Sequence, residues 1–221
     1  MTKESEQPGD AENTLEATLI VRSQRGDRAA FNRLVERHQT SAYALAFRML
    51  GDPEAAADVT QDAFFSAFRA INSFHGGSFR AWLLRIVSNG CYDQFRAQGR
   101  RPTASLDALL GESADGDRSS PNAELQHALT DATYDPEQAA LRSEMIDAIQ
   151  AALLRLPPEQ RLAVILSDVQ GLAYDEIARV MNIPLGTVKS RIARARGHLR
   201  ELLLREGELF GRAQRRDTEN H

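Results

Sequence analysis

The side chains in this sequence whose types and spacing could do chemistry are mostly cations set on a helical period. From Gly171 the chain reads Gly-Leu-Ala-Tyr-Asp-Glu-Ile-Ala-Arg-Val-Met-Asn-Ile-Pro-Leu-Gly-Thr-Val-Lys-Ser-Arg-Ile-Ala-Arg-Ala-Arg. A short helix over about 174–181, a turn through Asn182-Ile183-Pro184 and a second helix from about 185 make a helix-turn-helix. Ile177 and Ala178 fall inside, and Val188, Ile192, Ala195 and Leu199 recur at i, i+4, i+7, i+11 as a buried stripe. Thr187, Ser190, Arg191 and Arg194 then share an open face, with Lys189, Arg196 and Arg200 beside it. Residues 189–200 hold five basic side chains and no acid. A polar helix start of this kind fits a DNA major groove. Lys189 and Arg194 could reach base edges, Thr187 and Ser190 a base or phosphate, and Arg191 and Arg196 phosphates. A merely solvated cationic face is the plainer alternative.

Constellations for catalysis are missing, so the sequence is not read as an enzyme. The five histidines, His38, His75, His127, His198 and His221, are each more than twenty residues apart, which gives no metal-ligand pair on one helix. Gly76-Gly77 lacks the Gly-Lys-Ser/Thr that completes a phosphate loop. The single Cys91 lies in a stripe with Leu84, Val87 and Phe95 and reads as a small buried thiol. No metal and no cofactor are expected.

A second cluster of interest lies upstream. Eleven of the fourteen aromatic residues fall between Phe31 and Phe95, and six of these between Phe64 and Trp82. Aromatics with Arg are what single-stranded bases stack on, although most buried Phe are simply core. On a helix from Asp52-Pro53-Glu54 to about Ile71, Asp58, Gln61, Asp62, Phe65 and Arg69 share one face. An acidic face with an open Phe suits protein docking, and a solvated face suits the pattern equally. On the next helix Arg85, Asn89, Tyr92 and Arg96 line up directly after the loop 74–79.

These residues need helices to carry them, and the sequence supplies little else. From Thr14 onward strand-like alternation is absent and Ala, Leu, Arg and Glu dominate. The expected fold class is all-α: two small helical domains joined by a flexible acidic linker. Residues 1–13 read as a disordered acidic tail, and 14–99 as a first domain of four helices, about 15–26, 27–50, 53–71 and one after His75-Gly76-Gly77-Ser78. Residues 100–137 read as the linker, with spacing for a short helical piece around Ala123–Leu129. A second domain, 138–205, opens near Asp135-Pro136-Glu137 and is divided by Leu156-Pro157-Pro158-Glu159. Residues 206–221 read as a frayed polar tail.

The 221 residues carry 27 Lys and Arg against 31 Asp and Glu, a net charge of −4 that argues against a nucleic-acid partner. The distribution reverses that impression: residues 1–20 stand at −4, 21–102 at +5, 103–140 at −7 and 141–221 at +2. One cysteine forms no internal disulfide, the polar start is no secretory signal, and no apolar run approaches the ~18–20 residues of a membrane span. A cytoplasmic protein without membrane insertion is expected.

Several strings, in this order, resemble the extracytoplasmic-function (ECF) sigma factors of the sigma-70 family. They are Asp58-Val-Thr-Gln-Asp-Ala-Phe, Ser73-Phe-His-Gly-Gly-Ser-Phe-Arg-Ala-Trp-Leu-Leu-Arg-Ile, Leu156-Pro-Pro-Glu-Gln-Arg and the Gly186-Thr-Val-Lys-Ser-Arg helix, a match covering about 15–205. The resemblance implies a region 2 bundle and a region 4 helix-turn-helix. It implies that Asp58, Gln61, Asp62 and Phe65 bind core RNA polymerase at the clamp helices of its largest subunit, with the polymerase flap a further contact. It also implies that Asn72, Ser73, Phe74 and His75 form a pocket for an unstacked base of the minus-ten promoter element, with Arg80, Arg85, Asn89 and Arg96 as further contacts. Thr187, Lys189, Ser190, Arg191, Arg194 and Arg196 would meet the minus-thirty-five element as duplex. An anti-sigma factor is an implied partner, and the linker would thread towards the polymerase active site. The loop 75–78 is one residue shorter than in many relatives, and Ala193 stands where some carry a larger side chain. Two other readings remain: a stand-alone dimeric helix-turn-helix regulator, and an adaptor that binds only proteins.

Overall fold

Helix boundaries in the first half are set by side chains that satisfy orphan amides. Asp27 opens one helix by accepting from the Ala30 N–H at 3.1 Å, and Asp52 opens the next by accepting from Ala55 at 2.8 Å with Pro53 at the first helical position. Ser78 does the same for Ala81 at 3.1 Å. In the computed structural model, which describes residues 8–100 and 136–219 and the side chains of 14–97 and 142–205, these caps delimit α1 (Pro8–Gln24), α2 (Arg28–Leu50), α3 (Pro53–Ala70) and α4 (Phe79–Arg100). A short 3-10 turn, Ile71–Ser73, precedes the loop before α4.

Each helix gives one stripe to a common core. Leu34, Leu45 and Met49 of α2, Ala56 and Ala67 of α3, and Leu83, Leu84, Val87 and Cys91 of α4 are all buried to within 1 % of full enclosure. Burial pushes the Cys91 thiol up to about 12, so the sulfur is protonated and inert at neutral pH. α3 and α4 approach closely at Gly90, where a Cβ would come within 2.9 Å of Val59 Cγ1.

The second half comprises α5 (Pro136–Leu154), α6 (Pro158–Val164), a wide π-turn (Ile165–Val169), α7 (Tyr174–Met181) and α8 (Leu185–Glu219). Among the described residues there is no strand, and no helix is long and apolar enough to cross a membrane. Leu162, Ile165, Leu166, Ile177 and Ile192 form its interior, and this interior is continuous with that of α1–α4. Gln150 donates to the Phe47 carbonyl at 3.2 Å, and Arg161 donates to that of Met49, so the two halves meet directly.

Two boundaries differ from the sequence reading. α1 begins at Pro8 rather than near residue 15, because Pro at the first position and the following acids suit a helix start even without apolar periodicity. α8 continues to Glu219 rather than ending near Arg205, since 206–219 contains strong helix formers and no proline. The linker piece around Ala123–Leu129 lies outside the described residues, as do 1–7.

Candidate nucleic-acid interface

The turn between α7 and α8 is built by Asn182, which takes the left-handed conformation (φ 53°) while the Ile183 N–H returns to the Ala178 carbonyl at 3.1 Å. Glu176 accepts from the Ala173 N–H at 3.1 Å and fixes the start of α7. Pro184 then starts α8, its carbonyl accepting from Thr187 and Val188. Ile177, Val188, Ile192 and Ala195 are enclosed and Leu199 is half-buried, as the period requires.

That anchoring turns Lys189, Ser190, Ala193 and Arg194 outward, with Thr187 and Arg191 half-exposed. Arg194 donates from Nε to the Ser190 carbonyl and from Nη2 to Ser190 Oγ, both at 3.2 Å, and Ser190 Oγ donates to the Thr187 carbonyl at 3.0 Å. This ladder pre-sets the guanidinium over the first turns of α8. Arg191 and Arg196 are engaged differently. Arg191 pairs with Glu159 at 2.5 Å. Arg196 grips Asp168 with two bonds, Nε to Oδ2 at 2.9 Å and Nη2 to Oδ1 at 2.6 Å. Those bonds hold the Asp168 carboxyl below the usual carboxylate range and the Arg196 proton more firmly than usual. Arg196 therefore ties α8 to the π-turn.

In the first half, Asn72 and Ser73 of the 3-10 turn and His75 of the loop before α4 are exposed, and Gly76 and Gly77 complete the loop with φ near +100° and +88°. Phe74 differs from the rest of the proposed base pocket: its ring is buried, 5.6 Å from that of Phe79 and 5.4 Å from that of Trp82. A phenylalanine between two core aromatics buries more apolar area inward than a loop position could offer a base. Trp82, half-buried at the edge of this cluster, is the aromatic that reaches solvent. Gln24, which the sequence did not single out, holds the loop by donating to the carbonyls of Ile71 (3.2 Å) and Phe74 (2.9 Å). No local pattern marks a contact across 47 residues.

Along α4, Arg85, Asn89 and Arg96 are exposed, and Arg96 pairs with Asp93. Arg80 is half-buried, bound across to the second half by Nη2 to Gln170 Oε1 at 2.6 Å and to α2 by Nε to Ser41 Oγ at 3.2 Å. The acidic face of α3 stands free, with Asp58, Gln61 and Asp62 exposed and Phe65 57 % exposed. Gln61 and Phe65 border a groove of about 890 Å³ between α2 and α3, floored by Phe31, Val35, Tyr43, Phe64 and Phe68. Its α2 wall, Phe31-Val35-Gln39-Tyr43, recurs every four residues, a signal available in the sequence. Among the described residues no group of His, Cys, Asp and Glu could hold a metal ion.

Known proteins share this layout. The sigma-70 region 2 family matches residues 34–101, and the sigma-70 region 4 family matches residues 146–199. The RNA polymerase sigma-H factor of Pseudomonas aeruginosa is 41% identical over 180 residues, which are 80% of this chain and 88% of that protein. The ECF RNA polymerase sigma-E factor of Escherichia coli K12 is 39% identical over 188 residues, 84% of this chain and 93% of the relative. Among solved structures, CnrH in complex with the cytosolic domain of CnrY is similar with a TM-score of 0.58 at 27% identity, over 86% of this chain and 97% of CnrH. The sigma factor RpoE of Bartonella quintana, in complex with the anti-sigma factor NepR, has a TM-score of 0.58 at 28% identity, over 78% and 96%.

Proposed function

The chain belongs to the ECF sigma factors of the sigma-70 family, and from that premise we propose how its two halves divide the work of starting transcription. It acts in the cytoplasm as the promoter-specificity subunit of RNA polymerase. The α3 face, with Asp58, Gln61, Asp62 and Phe65, docks on the polymerase clamp helices, and the groove beside Phe65 takes an apolar side chain of that partner. The helix-turn-helix reads the minus-thirty-five duplex through Lys189, Ser190 and Arg194, with Thr187 and Arg191 at the rim and Arg196 holding the helix in place.

The loop 72–75 and α4 act on the minus-ten element. Unstacking a base step costs a few kcal/mol, which contacts to an extruded base must offset. Asn72, Ser73 and His75 supply polar contacts, Trp82 an aromatic edge, and Arg80, Arg85, Asn89 and Arg96 the cations and amide along the strand; Phe74 shapes the pocket from beneath. An anti-sigma factor is the regulator, by likeness to CnrH and RpoE with their partners.

The observation that carries this reading is α8: one side enclosed by Val188, Ile192 and Ala195, the other presenting Lys189, Ser190 and Arg194 to solvent. A dimeric regulator would leave the exposed face of α3 without a task. The test is run-off transcription from genomic templates with the matching core polymerase. Promoter-dependent transcripts that need this chain are expected; none on any template refutes the assignment.

A further inference from the structure

One amide at the end of α1 ties down the segment that the proposed function gives to an extruded base. Gln24 Nε2 donates to the Ile71 carbonyl at 3.2 Å and to the Phe74 carbonyl at 2.9 Å. A side-chain amide nitrogen carries two protons, so it satisfies both acceptors at once. These carbonyls stand where α3 and its 3-10 turn run out, and a helix end leaves such oxygens without partners in the helix. Between the two anchors lie Asn72 and Ser73, both exposed, with Ser73 Oγ donating to the Ala70 carbonyl at 2.7 Å. The backbone beneath them is therefore held at each end.

The position of Gln24 is fixed from behind. Arg22 donates from Nε at 2.9 Å and from Nη2 at 2.6 Å to Asp27 Oδ2, closing the corner between α1 and α2. Ser23 is enclosed and donates to the Leu19 carbonyl at 2.7 Å. Past Phe74 the restraint stops. His75, Gly76 and Gly77 make no hydrogen bond among the contacts described, and a Cβ at either glycine would meet nothing within 4 Å. The pocket thus has a pinned half, 72–74, and a free half, 75–77.

We propose that Gln24 is a positioning residue for base capture: by holding the Ile71 and Phe74 carbonyls it sets Asn72 and Ser73 where they tell one base from another. The proposal rests on the pocket role given to residues 72–75 above. Gln24 itself meets no base. Hydrogen bonds to a base edge weaken steeply with angle, so a segment that samples several conformations loses its contacts to the right base. A wrong base makes few of those contacts and loses little. The signature of Gln24 is therefore base preference at one position, and not overall affinity for DNA. Its donors carry the effect, so Gln24→Met, which keeps the shape without them, removes it. Gln24→Glu does the same by turning a carboxylate towards two carbonyl oxygens.

The test uses holoenzyme built with the full chain and forked promoter templates that carry each of the four bases at every unpaired minus-ten position. The natural chain identifies the position of strongest preference. There, Gln24→Met and Gln24→Glu should each narrow the ratio of best to worst base about tenfold, the loss expected when the competent loop is populated about a tenth of the time. Asp52→Ala removes the cap at the far end of α3 and loosens the same domain, yet should leave that ratio unchanged. Trp82, the single tryptophan, has its ring 5.4 Å from that of Phe74 and reports on the loop in the free chain. Its fluorescence should be quenched more readily by acrylamide in the Gln24→Met chain, with helix content by circular dichroism unchanged. Natural preference in either Gln24 variant, an equal loss in Asp52→Ala, or unaltered quenching would each overturn the proposal. A natural chain without promoter-dependent transcription would instead sink the functional assignment, since quenching reports the hold on the loop whatever the chain does.

Discussion

The two helices that we propose read DNA, α4 and α8, would meet that task in opposite ways. Over residues 185–196, α8 leans on the core by Val188, Ile192 and Ala195 and leaves its first turns open, with Lys189 and Arg194 bound to no carboxylate among the contacts described. α4 is more deeply embedded: Leu83, Leu84, Val87 and Cys91 are enclosed, and the residues proposed to read DNA are scattered around what remains. A duplex is rigid and offers its code in a groove, so one convex helix face suffices. A melted strand must be held open by a shaped pocket, which demands a loop, aromatic walls and a firm base.

If that division holds, the largest effect should come from α8. Lys189→Glu with Arg194→Glu should cut transcription from promoters that depend on minus thirty-five about a hundredfold, given ~1–3 kcal/mol for each base-directed pair. Opening of a template already mismatched at minus ten should change far less. Equal losses on both templates would erase the distinction between the helices.

A smaller and opposite pattern is expected for α4. Arg85→Ala with Asn89→Ala should lower minus-ten-dependent opening about tenfold, read by permanganate reactivity of thymines, and leave minus-thirty-five duplex binding intact. Phe65→Ala should weaken association with core polymerase at least about fivefold, since truncating an anchoring aromatic costs over 1 kcal/mol. Its folding stability should stay within about 0.5 kcal/mol, because the ring is exposed.

Two further effects concern the embedding of the first domain. Asp27→Ala removes the α2 cap and should cost about 1 kcal/mol in urea unfolding, without altering the α8 variants' behaviour. His38 is enclosed beside Phe79 and bonds Glu16 at 3.0 Å, and burial holds its pKa below the ordinary value of 6.5, against the pull of Glu16. The unfolded chain then takes up the proton first, so stability is full above 6.5 and falls as pH drops from there towards the folded value. Thermal melts at pH 7.5 and 5.5 should show a smaller drop for His38→Gln than for the natural chain.

The contrast between α4 and α8 also explains what was legible in the sequence. The helix-turn-helix stood out because its caps, its turn and its buried stripe are local. Helix bounds near 174–181 and 185, and the Asp27, Asp52 and Ser78 caps, follow from neighbouring residues alone. The face of Asp58, Gln61, Asp62 and Phe65 was readable for the same reason. What escaped depends on distant partners. Arg196 is spent on Asp168, Arg191 on Glu159 and Arg80 on Gln170, whereas Phe74 turns inward onto Phe79 and Trp82, near in sequence but across the loop. No periodicity announces a carboxylate 28 residues away, nor that two blocks separated by an acidic stretch share one core.

We propose that two separate surfaces of one chain read two promoter elements for polymerase. This is tested most directly by transcription from one promoter and its two single-element mutants, using holoenzymes with the natural chain, the Lys189/Arg194 reversal or the Arg85/Asn89 truncation. The α8 reversal is expected to add little to the loss already caused by mutating minus thirty-five, and the α4 truncation to add little at a mutated minus ten, while each is fully damaging on the other mutant. Losses that multiply in every combination, or transcription indifferent to both helices, would contradict it.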